Sequence, residues 1–296
     1  MRGTRGSIGA VPWWTKIVAK IVLSRIPIAR SAWQRLGLFR HGAMDEAGYA
    51  LGVFRSHWKR SGEPPLSGAV VLELGPGDSI ATAVIARAYG ASAILVDSGD
   101  FAVENMSTYH RVCDELKKEG SNPPDLSDAT SRADVLQRCD AQYLTNGLDS
   151  IRELPSDSVD MIFSQAVLEH VRRDEFDETL RELNRVLKPQ GLASHRVDLK
   201  DHLGGGLNNL RFSRRVWESR LFSRAGFYTN RLAYSEMLAT FSGTHEVLSS
   251  RITQEWETPP IDRARLAREF RDRDDKDLAV AGFDVLLGPS SSADDG

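Results

Sequence analysis

Apolar residues run unbroken through Val70-Val71-Leu72, close on Glu73-Leu74, and then break into Gly75-Pro76-Gly77-Asp78-Ser79. A short continuous apolar run of this kind predicts a strand buried on both faces, as in parallel sheets. A helical pattern follows at once, with Ile80, Val84 and Ile85 on one side. The segment therefore reads as strand, tight turn and helix N-terminus. Ala93-Ile94-Leu95-Val96 is a second such run and ends in Asp97. A shorter strand is expected at 141–145. Between them lie helical stretches over 100–120 and 131–138. Phe176, Leu180, Leu183 and Leu187 form one apolar face of an amphipathic helix. Strands alternating with helices predict an α/β fold with a mostly parallel sheet.

The turn after the first strand is the most informative chemistry. Gly75 and Gly77 lack a Cβ, so the backbone can make the turn and approach a ligand closely. The following helix N-terminus points its N–H groups at the same place, which marks a cofactor site. A dinucleotide fingerprint would need a third glycine at position 80, where Ile80 stands. Glu73, two residues before the first glycine, offers instead a carboxylate to a cationic ligand. Asp97, at the end of the second run, is placed to accept hydrogen bonds from ribose hydroxyls in either cofactor class.

Downstream motifs choose between the classes. Glu73-Leu74-Gly75-Pro76-Gly77-Asp78-Ser79 resembles the first motif of class I S-adenosylmethionine (SAM) methyltransferases, with Ser79 in place of the last glycine. Val159-Asp160-Met161-Ile162-Phe163-Ser164-Gln165-Ala166-Val167-Leu168-Glu169-His170 resembles that family's fourth strand and the loop after it. Leu187-Lys188-Pro189-Gln190-Gly191 is similar to its next turn, where Pro189 and Gly191 should stop the helix. The resemblance covers about residues 66–200. It implies a Rossmann-like methyltransferase sheet, mostly parallel with an antiparallel last strand. Strands near 246–252 and 283–287 would form the closing hairpin. It further implies SAM as cofactor, held by Glu73, Gly75, Pro76, Gly77, Asp97, Ser98, Ser164, Gln165 and Ala166. Leu148 and Asp149, in a loop after the third strand, should approach the adenine.

Ligands of open α/β sheets sit beyond the carboxyl ends of the strands. Catalytic candidates are therefore His170 after the fourth strand, and Asp198 and His202 at the end of the fifth. Either histidine could take a proton from an acceptor hydroxyl; the plainer role for His170 is to hold its loop. No metal site is expected, although Asp198, Asp201 and His202 would be an oxygen-rich set for magnesium. Residues 203–235 read as a substrate-lid insertion. Gly204-Gly205-Gly206 suggest a mobile hinge. Arg211, Arg214, Arg215, Arg220, Arg224 and Arg231, with Trp217, Phe227 and Tyr228, suit a sugar or an anion, or form an ordinary solvated face. The stretch from Asp198 to Leu232 resembles methyltransferases associated with bacterial surface polysaccharides.

Composition changes this picture little, but charge adds to it. The chain has 296 residues, 41% hydrophobic and 27% charged, which suits one large core with additions. Cys113 and Cys139 make no disulfide framework and fit a reducing, cytoplasmic setting. Residues 1–60 carry eleven basic residues against two acidic ones, and the remainder 27 against 39. The basic part is expected to be an N-terminal helical cap. Within it Trp13, Trp14, Lys16 and Lys20 lie on a short amphipathic stretch, too charged to span a bilayer. Residues 1–28 would serve as a lid, or as a peripheral contact at the inner face of a membrane. The expected divisions are 1–60 for the cap, 66–288 for the methyltransferase domain, and 289–296 for a disordered tail. The expected activity is O-methylation of a sugar or glycolipid precursor. A quinone or other small-metabolite acceptor is the alternative within enzymes, and a non-catalytic SAM-binding scaffold or regulatory protein the alternative outside them. A nucleic-acid substrate is not expected, because the core is acidic and Ser164-Gln165-Ala166-Val167 is no base-flipping motif.

Overall fold

The structure, a computed structural model, describes residue 15, residues 43–223 and residues 225–290. The basic stretch with Trp13, Trp14, Lys16 and Lys20, the residues His41 and Arg224, and the tail from 291 lie outside the described residues. No described helix is long and apolar enough to cross a membrane.

Seven strands form one sheet: β1 (Val70–Leu74), β2 (Ser92–Val96), β3 (Ala141–Leu144), β4 (Val159–Gln165), β5 (Leu187–Asp198), β6 (His245–Glu255) and β7 (Val280–Pro289). Their order is β3-β2-β1-β4-β5-β7-β6. The first five are parallel, and β7 runs antiparallel to both neighbours. This is the Rossmann-like methyltransferase sheet expected from the sequence. Leu74 lies opposite both Val96 and Ser164, so the loops leaving β1, β2 and β4 emerge side by side. Strand order reverses between β1 and β4, which opens a crevice at their carboxyl ends.

Helices cover both faces. Helix α1 (Ala47–Arg60), α2 (Ala81–Ala88) and α3 (Met106–Lys118) pack on one side around Phe54, Ile85, Tyr109 and Phe163. Short α4 (Arg132–Arg138) and α5 (Leu148–Arg152) lead into and out of β3. Helix α6 (Phe176–Val186) buries Phe176, Leu180, Leu183 and Val186 on the opposite face. Each such side chain contributes about 1.5–3 kcal/mol by leaving water. Beyond β5 come the single turn α7 (Arg214–Trp217), then α8 (Tyr234–Thr244) and α9 (Asp275–Ala279). Helix α8 shares the α6 side of the core through Met237 and Phe241.

Several local expectations need correction. The helix expected over 100–120 begins only at Met106, because Asn105 caps it by accepting from Ser107 N at 3.2 Å. Leu187-Lys188-Pro189-Gln190-Gly191 is no turn: β5 starts at Leu187, with a register shift against β4 at Val159 and Met161. Gly191 is required there by close approach, since a Cβ would meet Leu187 Cδ1 at 2.7 Å. Leu148 and Asp149 open helix α5 rather than a loop.

The insertion after β5 is a small packed unit. Leu203, Trp217, Ala225, Phe227 and Tyr228 make their own apolar cluster. A second cluster joins Leu207 and Leu210 to Leu266, Phe270 and Leu278. The latter three come from the long β6–β7 connection, so two segments distant in sequence build one substructure. The glycine run is not a slack hinge. The Asp201 carboxylate accepts from the backbone N–H groups of Leu203 (2.9 Å), Gly204 (2.6 Å), Gly205 (3.1 Å) and Asn208.

Candidate active site

The glycine turn sits where the register places it, at the mouth of the crevice. Gly75 and Gly77 both have positive φ, 75° and 65°, and Pro76 between them is buried. Asp97 braces the turn from β2: its Oδ2 accepts from Gly77 N at 3.1 Å and its Oδ1 from Ser98 N at 2.7 Å. Ser98 itself is exposed at the rim.

Glu73 lies under the turn, almost fully buried, and its Oε2 has no hydrogen-bond partner among the described residues. Burial pushes its pKa up to about 8, and the nearby Asp97 charge adds to the rise. An orphaned buried carboxyl beside a glycine cradle fits a cationic group, which would restore its charge. The donors, the cradle and this carboxyl thus fit the amino-acid tail and ribose of SAM.

The end of β4 and the loop after it close the cradle, but the polar side chains there are used elsewhere. Ser164 Oγ bonds His195 Nδ1 at 2.8 Å inside the sheet, not the crevice. Gln165 Oε1 accepts from His57 Nε2 at 3.1 Å, on the α1 face. The Ser164 hydroxyl and the Gln165 carbonyl oxygen are therefore engaged away from the crevice, which leaves the backbone of 164–166 and the Gln165 amide nitrogen for a cofactor. Ala166 holds a positive φ of 55°, with its N–H donating to Arg196 O at 2.9 Å. Leu148 is half-buried, and Asp149 is exposed and paired with Arg152 at 2.5 Å. The backbone nearer the crevice there is Gly147, whose N–H donates to Asp97 O at 2.8 Å. The Asn146-Gly147 dipeptide after β3 was its signal in the sequence.

His170 and His202, from different strand ends, are brought together. Their Nε2 atoms are 3.1 Å apart and the rings stack with centroids at 4.8 Å. His170 Nδ1 lies 2.7 Å from the Tyr228 carbonyl, which can only accept, so that nitrogen carries the proton. In the neutral pair His170 Nε2 is then the acceptor and His202 Nε2 the donor. Asp198 does not join them. Its Oδ1 accepts from Lys200 N at 3.0 Å, and its Oδ2 lies 3.6 Å from Lys200 Nζ. Asp201 is saturated by its loop, so the set Asp198, Asp201 and His202 is no cation site. No group of three or more ligating side chains is found among the described residues.

One buried acid and one buried base went unread in the sequence. Glu169 is 1% exposed, both carboxylate oxygens lack partners, and burial raises its pKa well above the usual range. His57 is held neutral, its pKa pushed down to about 3 by burial and by Arg60. The arginine-aromatic set expected to meet a sugar is partly spent inside the insertion. Arg231 lies over Trp217 and Phe270, at 5.2 and 4.9 Å from the ring centroids, and donates to Phe212 O at 2.6 Å.

Residues 72–194, from β1 into β5, match a family model described as a methyltransferase domain. No curated protein matches the chain. Among solved structures, an S-adenosylmethionine-dependent methyltransferase from Mesorhizobium loti is 15% identical, with 78% of this chain and 97% of that one covered at a TM-score of 0.42. A SAM-dependent methyltransferase from Archaeoglobus fulgidus is 11% identical, with coverages of 80% and 93% and a TM-score of 0.43. The geranyl diphosphate C-methyltransferase of Streptomyces coelicolor is 10% identical, with coverages of 75% and 71% and a TM-score of 0.42. At these TM-scores each likeness is loose.

Proposed function

We propose that this chain is an S-adenosylmethionine-dependent methyltransferase, as the methyltransferase-domain model matched by residues 72–194 supports, and that it methylates an oxygen nucleophile on a sugar or glycolipid precursor. The observation that carries this reading is the His170–His202 pair at the ends of β4 and β5. Glu73, the backbone of Gly75, Pro76 and Gly77, and Asp97 would hold the cofactor. S-adenosylmethionine bound there supplies an electrophilic methyl group.

The protein's own contribution is alignment and removal of one proton. Both ring nitrogens of His170 are committed, one to the Tyr228 carbonyl and one to His202. In this reading the proton of the acceptor hydroxyl goes to the His170–His202 pair through His202, and the positive charge spreads across the 3.1 Å contact. Burial of the Tyr228 backbone in the insertion fixes the pair's orientation. Such general-base help contributes typically 100- to 10,000-fold, with the rest coming from positioning. The sugar class is supported by the resemblance of the stretch from Asp198 to Leu232 to surface-polysaccharide methyltransferases.

Purified protein should bind SAM in calorimetry, and NAD should give no heat. His202→Ala should lower turnover on a sugar acceptor by about 100-fold with SAM affinity unchanged. Methylation of quinols and not of sugars would replace the acceptor class. Turnover that survives loss of both histidines would remove the general base and leave alignment alone.

A further inference from the structure

On the α1 face of the sheet, Asp284 of β7 is 2% exposed and is met by arginines from three elements. Arg60, at the end of α1, reaches it at 2.8 Å. Arg196 of β5 binds it in a fork, with Nε at 2.7 Å and Nη2 at 2.9 Å. Arg251 of β6 reaches it at 3.2 Å. One carboxylate thus faces three fixed positive charges, and the cluster keeps a surplus of two. Among the described residues no other carboxylate pairs with any of these arginines. Residues 1–42 contain no Asp or Glu that could do so; outside the described residues the only acids are Asp294 and Asp295.

The surplus is aimed outward. Exposure rises along the row, from 16% for the Arg60 side chain to 38% for Arg196 and 75% for Arg251. Asp284 occupies the inner edges of the guanidinium groups. Arg196 Nη1 and Arg251 Nε and Nη1 donate to no described group. Three arginines around a single carboxylate still repel one another, and each planar fork matches a phosphate oxygen pair. His57 adds no competing charge: Gln165 Oε1 takes its Nε2 proton, while Arg60 Nη1 donates toward Nδ1 at 3.0 Å and to Ser194 Oγ at 2.8 Å. The cluster also adjoins the reaction site, since Arg196 pairs in register with Gln165, the last residue of β4. Adjacent strands lie only about 5 Å apart.

We propose that Arg196 and Arg251, seated on Asp284 and backed by Arg60, bind a phosphate or diphosphate group, as a phosphorylated or diphosphate-linked acceptor would carry it. The inference rests on the proposed function for its placement, but the anion site stands or falls separately. In this arrangement the anion is anchored beside β5 while the acceptor hydroxyl extends toward His202.

The test uses the full-length protein and inorganic diphosphate in calorimetry, with SAM titrated in parallel. Diphosphate should bind with an affinity that weakens as salt rises. Arg251→Ala should weaken it by about tenfold or more, the range for losing one charged hydrogen-bond partner. Arg251 is mostly exposed, so this variant should fold, and its SAM affinity should be unchanged. Arg196→Lys keeps the charge but not the fork, and should also weaken diphosphate binding. Replacing Asp294 and Asp295 by Asn should leave the affinity as it is. Vesicles containing phosphatidic acid and a soluble nucleoside diphosphate sugar separate a lipid headgroup from a soluble ester: the true source competes with diphosphate in the wild type and not in Arg251→Ala. Absence of diphosphate binding, or binding that both arginine variants retain in full, overturns the site while leaving SAM binding to judge the methyltransferase reading. Diphosphate binding without SAM binding would do the reverse.

Discussion

Val167 lies directly against Gly75: a Cβ built on that glycine would fall 2.4 Å from Val167 Cγ2 and 2.7 Å from Cγ1. The loop after β4 therefore closes onto the turn after β1, and the two halves of the cofactor crevice fit only because one position has no side chain. The backbone demands the same residue, with φ at 75°.

Gly75→Ala should consequently cost stability twice, through left-handed strain and through overpacking, about 2–4 kcal/mol in all. Urea unfolding at neutral pH measures it. Adding Val167→Ala should recover the packing part and leave the strain. A double variant no more stable than the single one would show that the contact is slack.

Glu73 makes the apoprotein's stability fall as pH rises. Its folded pKa of about 8 lies above the unfolded value of 4.5. Between those values the folded chain binds a proton that the unfolded chain has lost, so stability declines with pH through this window. Glu73→Gln should flatten that decline, read as melting temperature from pH 5 to 9. A bound cation favours the ionised carboxylate, so SAM affinity should rise with pH toward 8 in the wild type. In Glu73→Gln it should be weaker by about 1.5–3 kcal/mol and insensitive to pH in this range.

Three buried histidines act in the opposite sense. Burial pushes His57 down to about 3 and His245 to about 4, and holds His195 well below its ordinary value. The unfolded chain binds protons below pH 6.5 that these folded groups refuse. Stability is thus complete above pH 6.5 and is lost as pH falls toward 4, by up to about 1.4 kcal/mol per pH unit for each histidine. His245→Asn should remove one proton's worth of that slope in denaturant titrations between pH 7 and 5. An unchanged slope would mean that His245 is not buried in solution.

Arg231 holds the insertion together. It is 4% exposed, has a φ of 59°, and sits over Trp217 and Phe270. Arg231→Ala should cost about 3–5 kcal/mol by leaving aromatic faces and the Phe212 carbonyl unpartnered. Because Tyr228 fixes His170, turnover should fall with it while SAM affinity holds. Limited proteolysis between 203 and 235 would report the loosening, and an unaltered cleavage pattern would count against this role.

What the sequence determined by itself is what local pattern can encode. Apolar runs at 70–72 and 93–96 specified buried parallel strands, because only a doubly covered strand tolerates no polar face. Glycines at 75 and 77 specified the turn, since other residues resist positive φ. Glu73 and Asp97, each ending its strand, specified where a cationic and hydroxyl-bearing ligand would meet the chain. The tertiary structure alone decided which side chains are spent and which remain available. Ser164 and Gln165 stand in a cofactor motif, yet His195 and His57, distant in sequence, engage the Ser164 hydroxyl and the Gln165 carbonyl oxygen. Arg231 and Trp217 pattern like a sugar platform, yet Phe270 from the β6–β7 connection completes a buried stack around them. Asp201 resembles a metal ligand until four backbone N–H groups of its own loop fill its oxygens. The same holds for the gains: His170 and His202 become a pair, and Arg60, Arg196 and Arg251 become a cluster, only when strand register brings them together. Hydrogen-bond capacity is finite and its partners are set by contacts across the chain, so composition and spacing show what a residue can do, and packing decides what it does.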